Sequence, residues 1–340
     1  LEDFFPADFI AEGLDQTRGW FYTMLILSTT LFKKSSYDNV IVNGMILAED
    51  GAKMSKRKKN YPDPNDIMEQ LGADALRAYL INSPAVRGEP LRFSEAGITE
   101  ILRKVMLPLW NAYSFFVTYA NVDGWKPGGA PVELTHRLDR WILSSMETLV
   151  TDVNELMDKY LLYKVVDRLD EFIDDLTNWY IRRSRDRFWG SDDAADKAAG
   201  YQTLYEVLVT FSKVLAPVLP FMCEEMHQNL VVRAGVDAPE SVHLCDFPQP
   251  HAGRRDEVLE REMHLARAIV GLGRTLRSKH KVKTRQPLSE VTVVAKSAAD
   301  RQLIRDMETI VLEELNVKSL VFTERESDLV TLGAKANFRV

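Results

Sequence analysis

The chain has 340 residues, 46% of them hydrophobic and 27% charged, and a net charge of −7. That length holds two or three domains of ordinary size, and the balance of apolar and charged residues excludes a disordered chain. No apolar run approaches the ~20 residues a membrane-spanning helix needs, which argues against a membrane partner. Cys223 and Cys245 are too few and too far apart for a disulfide framework or a Cys-x-x-Cys metal site, so a reducing, cytoplasmic compartment is the default and no metal site is expected. The opening Leu1-Glu2-Asp3-Phe4-Phe5 has neither a start Met nor a signal-peptide pattern and reads as a cut inside a longer chain. Overall acidity opposes general adhesion to nucleic acid. Positive charge nevertheless gathers in three places, 53–59, 182–187 and 274–285, as it would on an acidic protein with discrete phosphate-facing patches.

The first element is a short strand-like run over 5–10. A polar turn follows, Ala11-Glu12-Gly13-Leu14-Asp15-Gln16-Thr17-Arg18-Gly19, and then an apolar stretch, 20–32, that reads as a buried helix. Strand, Gly-bearing turn and helix N-terminus make half of a β-α-β unit, and open α/β sheets bind ligands at the carboxyl ends of their strands. Asp15 alone could be an N-cap. Glu12, Asp15, Gln16 and Trp20 together form a polar set suited to hydroxyl and amine groups.

The β-branched run beginning at Val40 reads as the next strand and breaks at Glu49-Asp50-Gly51, a strong turn signal. Immediately beyond lies Lys53-Met54-Ser55-Lys56-Arg57-Lys58-Lys59, with five positive charges in seven residues. A lysine-rich loop at a strand end can set ammonium groups on a polyphosphate. Pro62 and Pro64 give a rigid exit. Two short helices are expected over 65–71 and 74–82, then a long one over about 97–120.

The stretch 122–135, with Gly and Pro crowded into 127–131, is the clearest boundary. Beyond it, apolar residues recur at alternating steps of three and four: Ile142, Met146, Leu149, Val153, Leu156 and Tyr160, then Val165, Leu169, Phe172, Leu176 and Trp179, then Leu204, Leu208, Phe211 and Leu215. Three long antiparallel helices make a bundle, and Pro217 and Pro220 interrupt the last of them. The final part reads helix, strand 291–295, helix 299–315 and strand 319–323, an α/β segment. Arg274, Arg277, Lys279, Lys281, Lys283 and Arg285 carry its charge and suit a phosphate backbone.

Several of these phrases resemble one family. Lys53-Met54-Ser55-Lys56-Arg57 is similar to the KMSKS signature of class I aminoacyl-tRNA synthetases, with Arg57 in place of the last Ser. Glu12 to Phe21 resembles the isoleucyl-tRNA synthetase version of the turn preceding that signature, and the valyl and leucyl relatives differ there. Gly72-Ala73-Asp74-Ala75-Leu76-Arg77, the phrase 175–189, the phrase 217–230 and Arg285-Gln286-Pro287-Leu288 follow in family order.

The resemblance implies a mainly α chain with an α/β N-terminal part. Residues 1–48 would end a Rossmann-like catalytic domain, 49–121 carry the KMSKS loop and stem-contact segment, 122–253 form a helical anticodon-binding domain, and 254–340 begin a C-terminal α/β region. It implies isoleucine–tRNA ligase chemistry: isoleucine is activated with ATP, brought with Mg2+, and passed to tRNA(Ile). Lys53 and Lys56 would act in catalysis, and Lys53, Met54, Ser55 and Lys56 would bind ATP. Glu12, Gly13, Asp15, Gln16 and Trp20 would line the adenylate pocket, with Arg182, Arg183, Lys281, Lys283 and Arg285 facing tRNA. A monomer is expected. The HIGH signature and the editing domain are absent, so the chain alone is expected to be inactive. The alternatives are a non-catalytic tRNA-binding module and a valyl- or leucyl-specific relative.

Overall fold

Strand β1 (Ala7–Gly13) is followed by a turn of 3-10 helix, Leu14–Arg18, then by helix α1 (Trp20–Phe32) and strand β2 (Tyr37–Asn43). The two strands pair in parallel, from Ala7 against Tyr37 to Gly13 against Asn43, so α1 is the crossover that parallel pairing demands. The computed structural model describes residues 5–55, 57–58, 60–129, 132–190, 193–251 and 253–325. The expected β-α-β half is present, but α1 is not the buried helix its composition predicts. Only Phe21 and Ser28 are buried in it, while Ile26, Leu27, Leu31 and Phe32 are exposed. A helix apolar on every side needs cover on every side. Among the described residues the outer side of α1 is left uncovered.

Beyond β2 the chain turns at Gly44, where a Cβ would lie 1.9 Å from the Glu89 carbonyl oxygen, so only glycine fits. The short strand β3 (Ile46–Leu47) then pairs in parallel with β4 (Leu91–Arg92). Between them lie the lysine loop, α2 (Pro64–Leu71) and α3 (Ala73–Ile81). Asp63 caps α2 through the Asn65 N–H at 2.8 Å. Ile67, Ala75 and Ile98 form a small core here, with Leu71, Tyr79 and Phe93 against it.

The expected long helix runs as α4 (Glu95–Ile101), a wider π turn over Leu102–Met106, and α5 (Leu107–Asp123). Phe116 of α5 meets Trp125, Tyr201 and Tyr205 in a ring cluster, so α5 joins the bundle.

The bundle itself is α6 (Arg137–Asp158), α7 (Leu162–Asp174), a π stretch over Asp175–Ile181 leading into α8 (Arg182–Gly190), and α9 (Ala194–Leu215). Leu149, Val153, Leu169, Phe172, Leu176, Leu204, Leu208 and Phe211 are all buried, as the spacing predicts. The helix ends before Pro217, and Pro220 opens α10 (Pro220–His227) at its first turn, where its missing N–H costs nothing.

The chain divides into two compact units, Leu1–Arg255 and Asp256–Val340. In the second, α11 (Glu257–Lys279) precedes β5 (Val291–Val294), α12 (Ala298–Asp306), α13 (Glu308–Leu315) and β6 (Leu320–Thr323). Strands β5 and β6 pair in parallel. The single helix expected over 299–315 is two helices, parted at Met307, whose backbone leaves the helical region while its side chain is buried. No helix among the described residues is long and apolar enough to cross a membrane.

Candidate active-site loop and RNA-facing surfaces

Each polar segment flagged in the sequence follows the carboxyl end of a parallel-paired strand, β1 for the first and β3 for the second, the end where such sheets bind ligands. The first follows β1. Glu12 and Gly13 end that strand, side by side with Val42 and Asn43 of β2. Asp15 is exposed and caps nothing in α1. The Gln16 side chain does that work instead, its Oε1 accepting the Trp20 N–H at 2.8 Å. The turn is packed tightly enough that a Cβ at Gly13 would meet Asp15 Oδ1 at 2.7 Å and one at Gly19 would meet Gln16 Oε1 at 2.4 Å. Glu12, Asp15 and Trp20 therefore sit at one turn with their side chains in the open, Trp20 at 47% exposure.

The second segment follows β2 and β3. The Asp50-Gly51 turn forms as predicted. Gly51 takes φ +82°, its N–H reaches the Ala48 carbonyl at 2.8 Å, and Asp50 Oδ1 accepts the Ala52 N–H at 2.8 Å. Lys53 then returns alongside Leu47 in an antiparallel bridge, and Leu47 in turn pairs with Arg92. Lys53, Arg57 and Lys58 are exposed, while Met54 and Ser55 are half-buried. Lys56 and Lys59 lie outside the described residues. Two residues of this region escaped sequence reasoning. The Arg92 guanidinium lies over the turn, where a Cβ on Gly51 would come within 3.2 Å of its Nε. Asn60 bonds back to the loop backbone at both Lys53 and Ser55.

The 182–187 cluster is less uniform than its charge implies. Arg187 is buried and binds Asp139 with two bonds, at 2.8 and 2.7 Å. It also reaches Asp196 at 2.9 Å, and the Tyr180 hydroxyl donates to Asp139 at 2.7 Å. Burial disfavours the charge on Arg187, but the hydrogen bonds and charge of Asp139 outweigh that and hold it above the ordinary guanidinium range. Burial, followed by the nearby Arg187, keeps His136 below the ordinary imidazole range, so its Nδ1 stays available to cap α6 through the Leu138 N–H at 3.2 Å. Arg182 and Arg183 are half-buried beside the Trp179 ring, at 5.6 and 5.8 Å, and Arg182 Nε also donates to the Asn178 carbonyl at 2.8 Å.

The 274–285 cluster divides in the same way. Arg274 pairs with Glu314. Arg277 is buried and donates to four carbonyls, those of Lys283, Gln286, Leu315 and Asn316. That leaves Lys279, at the end of α11, and Lys281, Lys283 and Arg285, on the loop it ties down, exposed. Position in sequence gave no sign of this division, because the acceptors are backbone carbonyls, two of them 38 and 39 positions away.

The phrases 72–77 and 217–230 also meet. Asp74 is buried and accepts the N–H groups of Phe221 and Met222 at 3.3 and 2.8 Å, capping α10 from another part of the chain. Arg77 donates to the Pro217 carbonyl at 2.9 Å. Among the described residues no group of three or more His, Cys, Asp or Glu could hold a metal ion.

Known proteins share this arrangement. Residues 1–92 match the family of class I tRNA synthetases for I, L, M and V, and residues 139–293 match the anticodon-binding domain of tRNA ligases. The fold resembles that of the Agrobacterium radiobacter K84 agnB2 LeuRS–tRNA–LeuAMS complex, with a TM-score of 0.56 and 14% identity, covering 93% of this chain and 37% of that one. It also resembles Mycobacterium tuberculosis methionyl-tRNA synthetase in complex with methionyl-adenylate, with a TM-score of 0.55 and 21% identity, covering 72% of this chain and 51% of that one. A parallel β-α-β start, a lysine loop behind it and a helical bundle thus define the class I aminoacyl-tRNA synthetase architecture. The chain is 49% identical over 340 residues to the isoleucine–tRNA ligase of Protochlamydia amoebophila (strain UWE25), across its whole length. It is 52% identical over 336 residues to that of Chlamydia trachomatis serovar D and 48% identical over 353 to that of Treponema denticola. It belongs to the isoleucine–tRNA ligase family, and spans 32% of the length of each of these relatives.

Proposed function

We infer that this chain supplies the KMSKS loop and the anticodon-binding part of an enzyme that activates L-isoleucine with ATP and transfers it to tRNA(Ile). In activation the isoleucine carboxylate attacks the α-phosphate, the bond to the β-phosphate bridge breaks, and pyrophosphate leaves. Such a step asks little covalent chemistry of the protein; positioning and charge stabilisation dominate. Lys53 and Lys56 would neutralise the phosphates, with Met54 and Ser55 shaping the loop against ATP and its Mg2+. Glu12, Gly13, Asp15, Gln16 and Trp20 would hold the adenylate. The observation that carries this reading is that each segment follows the carboxyl end of a parallel-paired strand, the first after β1 of the β1–β2 pair and the second after β3 of the β3–β4 pair.

The tRNA would meet the exposed Lys281, Lys283 and Arg285 loop through its phosphates and the helical bundle, Arg182 and Arg183 included, through its anticodon arm. We propose that the enzyme works as a monomer in the cytoplasm. In the complete enzyme, Lys56→Ala should lower ATP–pyrophosphate exchange by roughly 100- to 1,000-fold while isoleucine binding changes little. An unchanged exchange rate removes the loop from the mechanism.

A further inference from the structure

One neutral side chain closes the lysine loop. At its upstream end the loop is held to the sheet by the bridge between Lys53 and Leu47. At its downstream end Asn60 reaches back across it. Its Oδ1 accepts the Ser55 N–H at 2.9 Å and its Nδ2 donates to the Lys53 carbonyl at 3.2 Å. The Lys58 N–H also bonds to the Ser55 carbonyl at 3.1 Å. Asn60 is half-buried, whereas Lys53, Arg57 and Lys58 are exposed.

The chemistry of this closure suits a loop meant for phosphate. An amide offers an acceptor and a donor on one planar group, which matches an N–H and a C=O two residues apart. It also leaves the surrounding positive charge intact. An aspartate could still take the Ser55 N–H, but it would face the Lys53 carbonyl with a second acceptor and cancel a charge beside the phosphates. Ordering a loop costs conformational entropy, and a loop already closed loses less of it on meeting its ligand.

The geometry points to Asn60 as a positioning residue for amino-acid activation: it fixes the backbone from Lys53 to Ser55 in the form that meets the ATP triphosphate. The assignment rests on the phosphate-facing reading of the loop. In the complete enzyme, Asn60→Ala should lower kcat/KM for ATP in pyrophosphate exchange roughly tenfold. The KM for isoleucine should stay unchanged, as should transfer to tRNA from preformed enzyme-bound isoleucyl-adenylate. Asn60→Asp should fall further than Asn60→Ala although it keeps the Ser55 bond. Because Asn60 acts through the Lys53 backbone, the double variant with Lys53→Ala should lose less than the product of the single losses.

Normal exchange in Asn60→Ala with impaired exchange in Lys53→Ala overturns the role of Asn60 alone. Normal exchange in both overturns the reading of the loop itself. Slower transfer from preformed adenylate, or a fall in melting temperature that accounts for the lost rate, makes Asn60 merely structural and equally overturns the proposal. So do losses that multiply in the double variant.

Discussion

The helical bundle and the β-α-β start are equally rich in apolar residues, yet the bundle buries most of its own and the start few of them. In the bundle Leu204, Leu208 and Phe211 are wholly inside; in α1 Leu27 is 53% and Leu31 69% exposed. The bundle even shields its polar groups from water, with Asp139 fully buried against Arg187 and Tyr180. The contrast shows two kinds of part in one chain. The bundle closes its own core and can serve as a platform. The α/β part carries exposed polar turns and the lysine loop, and its apolar helix remains uncovered.

The sharpest way to break this comparison is to open the bundle's polar node. Arg187→Met removes the partner of a fully buried carboxylate and should cost about 3–5 kcal/mol in denaturant unfolding of the bundle. A loss under about 1 kcal/mol, the range of exposed ion pairs, would mean the node is open to water. Next comes a matched pair of truncations. Leu204→Ala, in the core, should cost roughly 2–5 kcal/mol, whereas Leu27→Ala should stay within about 0.5 kcal/mol. Similar costs at the two sites would show that α1 is covered in solution.

Asp74 tests the seam between the two parts. It caps α10 through two N–H groups from 147 and 148 positions away, and Asp74→Ala should cost about 1–2 kcal/mol. Asp74→Asn, which keeps one acceptor, should recover part of that in the same unfolding experiment. No recovery would assign the effect to packing.

What the sequence made legible were features set by neighbours along the chain. Apolar spacing found α6, α7 and α9, Asp50-Gly51 marked the turn into the lysine loop, and Pro217 marked the end of α9. What it hid were features set by distant partners. Arg187 stands in a basic run and reads as solvated or RNA-facing, but its carboxylate lies 48 positions upstream. Arg277 reads as one of six equal charges, while two of its four acceptors are the Leu315 and Asn316 carbonyls at the end of α13. Composition marked α1 as buried because an apolar helix looks the same whether or not its cover is at hand. The site was visible as residue types, and the Asn60 closure was not, since an Asn between a lysine run and a proline exit looks like an ordinary loop residue.

The tRNA assignment proposed above, to the bundle and to the 281–285 loop, is tested most directly by a binding titration of this chain at several salt concentrations. One arm uses isoleucine tRNA and the other a tRNA with a foreign anticodon. The account predicts tighter binding of isoleucine tRNA, with affinity falling steeply as salt rises because each neutralised phosphate releases a counterion. Replacing Lys281, Lys283 and Arg285 together should flatten that slope by up to about 0.9 for each phosphate that is no longer neutralised, while the preference for isoleucine tRNA survives. Equal affinity for the two tRNAs would contradict the anticodon assignment, and a slope untouched by the triple replacement would contradict the role of the 281–285 loop.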